Sequence, residues 1–342
     1  MSKSVLSRRD FLRLSGYGLM GIFLPDLSFH FPQGADLTNL QGRIIDRTVW
    51  AYDEPNFKSR RLKLYWHDLV VPITNTTVGS DGSAYNRVWY QLEENGYAYS
   101  GGIQPVRTIL NEPKQIPPRG TLGEVSVPYT DAYLEADANS DLIYRLYYET
   151  VHWVTGTVNP TNGSPWYRLL DDKFEQYYYV PARHIRIIPN EELTPLSTSV
   201  PAENKRVEVH LDDQLLIAYE YDKIVFATRI STGGKRLSGK YTTPDGDFIT
   251  FHKRPTRHMA AGDIASNGFD LPGVPWVLYI TKGGISFHGT YWHNDYGHPH
   301  SHGCINMTPQ AAKWLFRWTI PTVPPDKPVA YGYIGTQVEI KI

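Results

Sequence analysis

A unit that occurs twice sets the first limit on how this chain can fold. Val88-Trp89-Tyr90-Gln91-Leu92 returns as Pro165-Trp166-Tyr167-Arg168-Leu169, and Leu64-Tyr65-Trp66 returns as Leu146-Tyr147-Tyr148. From Trp89 to Trp166 is 77 positions and from Leu64 to Leu146 is 82; offsets this close indicate duplication with small insertions. Each copy is a set of short β-rich runs divided by turn clusters such as Ser80-Asp81-Gly82-Ser83 and Asn159-Pro160-Thr161-Asn162-Gly163-Ser164. The pattern predicts a small antiparallel β-barrel over residues 36–112 and another over 117–190. Pro113 to Pro118 divides the copies, and residues 191–204, with Pro195, Ser197, Thr198, Ser199 and Pro201, read as a linker. The 24 tyrosines and 9 tryptophans suit sheet surfaces, and exposed rings also stack on sugars, so a structural spacer and a glycan-binding module both stay open.

The remainder, residues 205–342, begins as a meander. Val207 to Leu211 alternates apolar with polar, Leu215 to Tyr221 follows a turn, and Ile224 to Thr232 runs up to Gly233-Gly234. Phe251 to Gly273 is polar, contains His252, His258 and Met259, and reads as a lid over a site. Val338, Ile340 and Ile342 alternate with Glu339 and Lys341 as a half-buried last strand.

Chemistry concentrates between Ile285 and Met307. This stretch holds Cys304, the only cysteine, and five of the twelve histidines: His288, His293, His298, His300 and His302. A thiol with an ordinary pKa is only about 3% ionised at neutral pH, and an imidazole that accepts its proton removes that limit. Ile285-Ser286-Phe287 alternates after Gly283-Gly284, which places His288 at the end of a strand. Thr308 has the character of an N-cap and Pro309 of a first helical residue, so Cys304 belongs to a turn that leads into a short helix. Gly303 permits backbone angles that aim N–H groups at an oxyanion. His293, His298 and His300 read as members of a solvated loop. A zinc site is the rival reading, and it lacks a second cysteine, a histidine pair at helical spacing and any nearby carboxylate except Asp295.

His288 followed by Ser301-His302-Gly303-Cys304-Ile305-Asn306 resembles the signature of the L,D-transpeptidase (YkuD-type) family, cysteine enzymes of bacterial cell-wall cross-linking. Thr243-Pro244-Asp245-Gly246-Asp247-Phe248 resembles a Thr-Pro-x-Gly-x-Phe element of that family, and the likeness extends over residues 205–342. The resemblance implies that Cys304 is the nucleophile, His288 its proton acceptor and donor, and His302 a supporting residue. It implies support or oxyanion roles for Ser301, Gly303 and Gly289, the last through its carbonyl because the family often has Ser there. Asn306, Tyr291 and Trp292 are expected to bind substrate. The implied partner is the peptidoglycan stem peptide, with no cofactor and no required metal. Gly96-Tyr97-Ala98-Tyr99 and Tyr177-Tyr178-Tyr179-Val180, each after a Trp-Tyr strand, resemble the bacterial Src-homology-3-like modules of cell-wall enzymes, a less specific likeness.

Ser7-Arg8-Arg9-Asp10-Phe11-Leu12-Arg13 resembles a twin-arginine export motif, so residues 1–35 are expected to be a signal region. The apolar run from Leu14 to Leu24 would extend about 16 Å as a helix, against a hydrocarbon core of about 30 Å, which suits a signal better than a span. Removal of the segment and its retention as an anchor both stay open. Lys plus Arg is 34 against 35 for Asp plus Glu, which gives no reason to expect nucleic acid or an anionic membrane as partner. The sequence therefore predicts a mainly β protein: two small barrels, then a β-rich catalytic domain with a short helix after the nucleophile. Its expected activity is an exported cysteine acyltransferase of peptidoglycan. The alternatives are a carboxypeptidase or amidase that uses water as acceptor, and a non-catalytic wall-binding or zinc protein.

Overall fold

The computed structural model describes residues 39–342 apart from 83, 93–95, 162, 235–241 and 263–267. The twin-arginine motif and the apolar run after it lie outside the described residues. Among the described residues no helix is long and apolar enough to cross a membrane.

The first copy of the repeat forms seven strands: β1 (Gln41–Ile44), β2 (Thr48–Tyr52), β3 (Arg61–Trp66), β4 (Val70–Val78), β5 (Val88–Leu92), β6 (Tyr97–Tyr99) and β7 (Ile103–Val106). The second forms β8 (Thr121–Val125), β9 (Tyr129–Tyr133), β10 (Leu142–Tyr147), β11 (Val151–Val158), β12 (Trp166–Leu170), β13 (Tyr177–Pro181) and β14 (Ile185–Ile187). The strand orders are β3-β2-β6-β5-β4-β1-β7 and β10-β9-β13-β12-β11-β8-β14, one order used twice. Register shifts recur at equivalent pairs, β2 with β3 and β9 with β10, β4 with β5 and β11 with β12. Tyr90 and Tyr167, equivalent in the repeat, are both buried in the cores of their sheets, so part of the tyrosine content is packing material.

Closure is where the expectation of barrels fails. Each module is an open antiparallel sheet, with β3 and β7, or β10 and β14, at its two edges. Bulges bend a sheet, but a barrel also needs its edge strands to pair. On β3 Arg61, Leu62 and Lys63 are exposed, and charged side chains on an edge discourage pairing.

The described residues of the rest of the chain form β15 (Lys205–His210), β16 (Leu215–Glu220), β17 (Lys223–Arg229), β18 (Gly246–Ile249), β19 (His252–Ala261), β20 (Phe269–Tyr279), β21 (Ser286–Gly289), β22 (Ile305–Met307), the helix α1 (Pro309–Trp318), β23 (Ala330–Tyr331) and β24 (Gln337–Lys341). They make two five-stranded sheets, β17-β16-β15-β24-β18 and β22-β21-β20-β19-β23. One apolar cluster joins Val207, Leu216 and Phe226 of the first sheet to Trp276, Phe287 and Met307 of the second, with Ala311, Leu315 and Phe316 of α1 among them. Thr308 caps the helix, its Oγ1 accepting from the Ala311 N–H at 3.2 Å, and Pro309 opens it. At the other end two buried lysine amino groups, whose pKa values burial lowers, meet the free carbonyls. Lys253 Nζ donates to Phe316 O at 2.5 Å and Thr319 O at 2.8 Å, and Lys205 Nζ to Trp318 O at 3.2 Å, where the helix dipole favours positive charge.

Two further expectations change. The polar stretch read as a lid is largely the antiparallel pair β19 and β20, packed against the second module. Asp172 accepts from Arg254 at 3.1 Å, from Arg257 at 2.6 Å and from the His258 N–H at 2.7 Å, while Thr256 donates to Val151 O. A Cβ on Gly273, at φ +70°, would lie 2.3 Å from the His152 ring, so this docking requires glycine. The polarity that suggested solvent is answered by a module about eighty residues away. Residues 191–204, read as a linker, are packed: Leu193 joins the apolar core of the C-terminal sheets and the Leu196 N–H donates to Arg317 O at 3.0 Å.

His258 makes this docking sensitive to pH. Burial alone would lower its pKa, but hydrogen bonds to Asp171, at 2.5 Å, and to Asp270 outweigh burial and raise it. A raised folded-state pKa stabilises below the unfolded value of 6.5, and that contribution is lost as pH rises through the folded value. His258→Gln should therefore lower the melting temperature more at about pH 6 than at about pH 9. Thermal scans showing the same deficit at both would contradict the imidazolium assignment.

Candidate active site

The site rests on two parallel strands. Phe287 pairs with Ile305, His288 with Asn306 and Gly289 with Met307, so Cys304, one residue before β22, comes level with Ser286. Alternation then puts Ser286, His288, Cys304 and Asn306 on one face. The thiol is partly exposed. Its Sγ lies 3.6 Å from Ser286 Oγ and 3.7 Å from Gly284 O, its hydrogen-bond partners among the described residues. Burial pushes the thiol pKa up, and the hydroxyl and backbone of Ser286 pull it partly back.

His288 is buried, at 2% exposure, and burial pulls its pKa down to about 4. Its Nδ1 lies 3.1 Å from Gly289 O. A carbonyl can only accept, so this contact assigns the proton to Nδ1 and leaves the Nε2 lone pair available. A Cβ on Gly289 would stand 2.8 Å from Pro275 Cγ and 2.9 Å from Pro309 Cα, which explains glycine where serine is common in the resembled family. Burial thus favours the neutral form of both the thiol and the imidazole.

The turn into Cys304 is fixed from two directions. Ser301 Oγ accepts from the Gly303 N–H at 3.0 Å and donates to Cys304 O at 2.5 Å. Thr243 Oγ1 donates to Gly303 O at 2.8 Å and accepts from the Gly233 N–H at 2.8 Å. Gly303 has φ +120°, and a Cβ there would meet Ile285 Cδ1 at 2.8 Å. One expectation narrows as a result. The Gly303 N–H is occupied by Ser301, which takes it out of the set of donors expected for an oxyanion.

The remaining predicted residues disperse. Tyr291 is 3% exposed, donates through its hydroxyl to Pro272 O at 3.1 Å and stacks on Tyr147. Asn306 is 1% exposed, with Nδ2 2.9 Å from His293 Nε2. Both were expected to bind substrate, and both face protein instead. Trp292 is half-buried, its ring 5.7 Å from that of His288. His302 is exposed, with its ring 5.9 Å from Phe269. His300 is exposed and His298 half-buried, whereas His293, assigned to a solvated loop, is buried. Among the described residues no group of three or more His, Cys, Asp or Glu is placed to hold a metal ion. Sequence reasoning missed Ser286 as a partner of the thiol, although its spacing of two from His288 on an alternating strand was a usable signal. Thr243, the first residue of the Thr-Pro-x-Gly-x-Phe element, also fixes the turn before Cys304.

Residues 204–340 match the family model YkuD, described as the L,D-transpeptidase catalytic domain. No curated protein matches the chain. Among solved structures, the chain is similar to the Enterococcus faecium L,D-transpeptidase at 24% identity, over 40% of this chain and 50% of that one, with a TM-score of 0.32. The catalytic domain of an E. faecium L,D-transpeptidase gives 25% identity over 41% and 98%, TM-score 0.31. An L,D-transpeptidase from Mycobacterium smegmatis gives 16% over 54% and 98%, TM-score 0.33. The chain thus spans about half the length of the full Enterococcus structure.

Removing the Ser286 hydroxyl tests the electrostatics directly. Ser286→Ala should raise the Cys304 pKa and slow alkylation by iodoacetamide near neutral pH by roughly tenfold, the worth of one hydrogen bond to a charged group. Rates that match the parent at every pH would show that the hydroxyl does not stabilise the thiolate.

Proposed function

We propose that this protein is an exported L,D-transpeptidase that joins peptidoglycan stem peptides through a thioester on Cys304. The observation that supports this most is the parallel register that brings Cys304, Ser286 and His288 to one face, with the Nε2 lone pair of His288 free. The match of residues 204–340 to the catalytic-domain family supplies the substrate class. Export rests on the Arg8-Arg9 motif and places the reaction outside the cytoplasm.

Cys304 Sγ attacks the carbonyl that links the L-configured centre of a diamino acid to the terminal D-alanine, and the thiol proton passes to His288 Nε2. The tetrahedral oxyanion lies within reach of the Cys304 N–H, a donor fixed by the Ser301 and Thr243 hydrogen bonds on either side of it. The C–N bond then breaks, and His288 returns the proton to the departing D-alanine amine. An amine from a neighbouring stem attacks the thioester, His288 takes its proton, the C–S bond breaks and the proton returns to sulfur. Because thiol and imidazole both rest neutral, proton transfer accompanies attack, and general-base help of this kind is worth about 10²–10⁴-fold.

Incubating the purified protein with tetrapeptide stems and weighing the products tests the proposal. Cross-linked dimers that have lost one D-alanine support it; tripeptide alone would make the enzyme a carboxypeptidase, with water as acceptor. Cys304→Ala should abolish turnover and His288→Gln should slow acylation by about 10²–10⁴-fold, with His302→Gln costing less. A silent His288→Gln would remove His288 from the mechanism.

A further inference from the structure

The segment from Thr290 to Gly303 joins the base to the nucleophile, and its middle is held by the first module rather than by the catalytic domain alone. Asn294 enters that module: its N–H donates to Gly101 O at 3.1 Å and its Nδ2 to Ser100 O at 3.2 Å and Ile103 O at 3.0 Å. Asp295 follows it. Its carboxylate accepts from the hydroxyls of Tyr85 and Tyr99, the latter at 2.8 Å, and from Asn86 Nδ2 at 3.3 Å. On the catalytic side the same residues lead back to the site. The Asp295 N–H donates to His293 Nδ1 at 3.4 Å, His293 Nε2 meets the Asn306 amide at 2.9 Å, and Asn306 is the strand partner of His288, two residues after Cys304.

Comparison of the two modules shows that this use is particular to the first. Each has a short 3₁₀ turn after its sixth strand, Ser100–Gly102 in one and Ala182–His184 in the other. In the first, the middle residue is Gly101, buried, where a Cβ would lie 2.7 Å from Asp295 Cγ. In the second, the middle residue is Arg183, exposed. One turn has been emptied to receive the loop, and its twin shows that the sheet folds with arginine at that place.

We infer that Asn294 and Asp295 are positioning residues, and that the first module is an internal clamp that sets the distance and angle between His288 and Cys304. The inference rests on the proposed pairing of those two residues and adds to it the module that holds them in register. A displacement of about 1 Å at a reacting pair can cost about 10²-fold, so a loosened loop should reduce acylation without removing any reacting group.

The test uses the full chain and p-nitrophenyl acetate, which acylates an activated thiol irrespective of any stem peptide; Cys304 is the only cysteine, so the burst of p-nitrophenol in excess of that of Cys304→Ala reports on it. Three variants are compared: Gly101→Arg, which copies the second module, Asn294→Ala, and Tyr99→Phe, which removes a single hydroxyl and keeps the ring. All three should acylate about tenfold or more slowly near neutral pH and converge on the parent in strong alkali, where hydroxide ionises the thiol without His288. A merely structural clamp would lower the melting temperature and leave the pH profile of acylation unchanged, which overturns the inference. If Gly101→Arg does not fold, the other two variants decide the matter by the same profile. A parent protein no faster than Cys304→Ala would sink the proposed function, and the inference with it; a fast parent with equally fast variants would sink the inference alone.

Discussion

Two parallel strands joined by a connection without a helix are the constraint from which most of this structure follows. β21 and β22 must lie side by side and point the same way for Cys304 and His288 to share a face. A parallel pair needs a crossover of a dozen or more residues, and the usual solution is a helix that satisfies its own backbone. Here the crossover is irregular, so its polar groups must find partners elsewhere. They find them in Ser231, in the Gly101 turn and in Arg43, whose guanidinium donates to Tyr291 O at 2.7 Å while also bonding Asp68 and Gln104 and lying 4.0 Å over the Tyr147 ring. Arg43 is 1% exposed, and a charge so buried is tolerable only because each direction of its fork is answered.

The two copies of the repeat have consequently taken different places. The first holds the crossover beside Cys304; the second, through Asp171, Asp172 and His152, holds the β19–β20 pair. Leu122, Val151, Trp153 and Ile188 of the second module share the apolar core of the C-terminal sheets, and both attachments add buried or half-buried carboxylates and backbone groups with named partners, which specify one relative placement of the units more strictly than an apolar patch alone could.

What could be read from the sequence was whatever repeats locally or lies close in the chain. The duplicated Trp-Tyr strands, the Thr308-Pro309 helix start and the alternation ending in His288 are short-range patterns, and all three are present in the fold. Contacts between distant segments left no such trace. His258 and Asp171 are 87 positions apart, and nothing around either distinguishes a buried ion pair from a solvated surface, so the docking of the β19–β20 pair on the second module was hidden. His293 was misplaced for the same reason, since its burial depends on Asn306 and on the docked loop. Openness of the modules was equally hidden, because closing a sheet is a property of its edges and not of any one strand.

The central claim is that Cys304 and His288 rest as thiol and neutral imidazole and become charged only during attack. Burial favours that state for both, raising the thiol pKa and lowering that of His288 to about 4. The most direct measurement is the ultraviolet absorbance of the thiolate, followed together with the acylation rate from acid to alkaline pH and compared with Cys304→Ala. The account predicts no thiolate signal at neutral pH and an acid limb of the rate near the low His288 value, so that activity persists well below the ordinary histidine range. A strong thiolate signal at neutral pH that vanishes together with activity as acid is added would mean a preformed thiolate and imidazolium pair, and would contradict it.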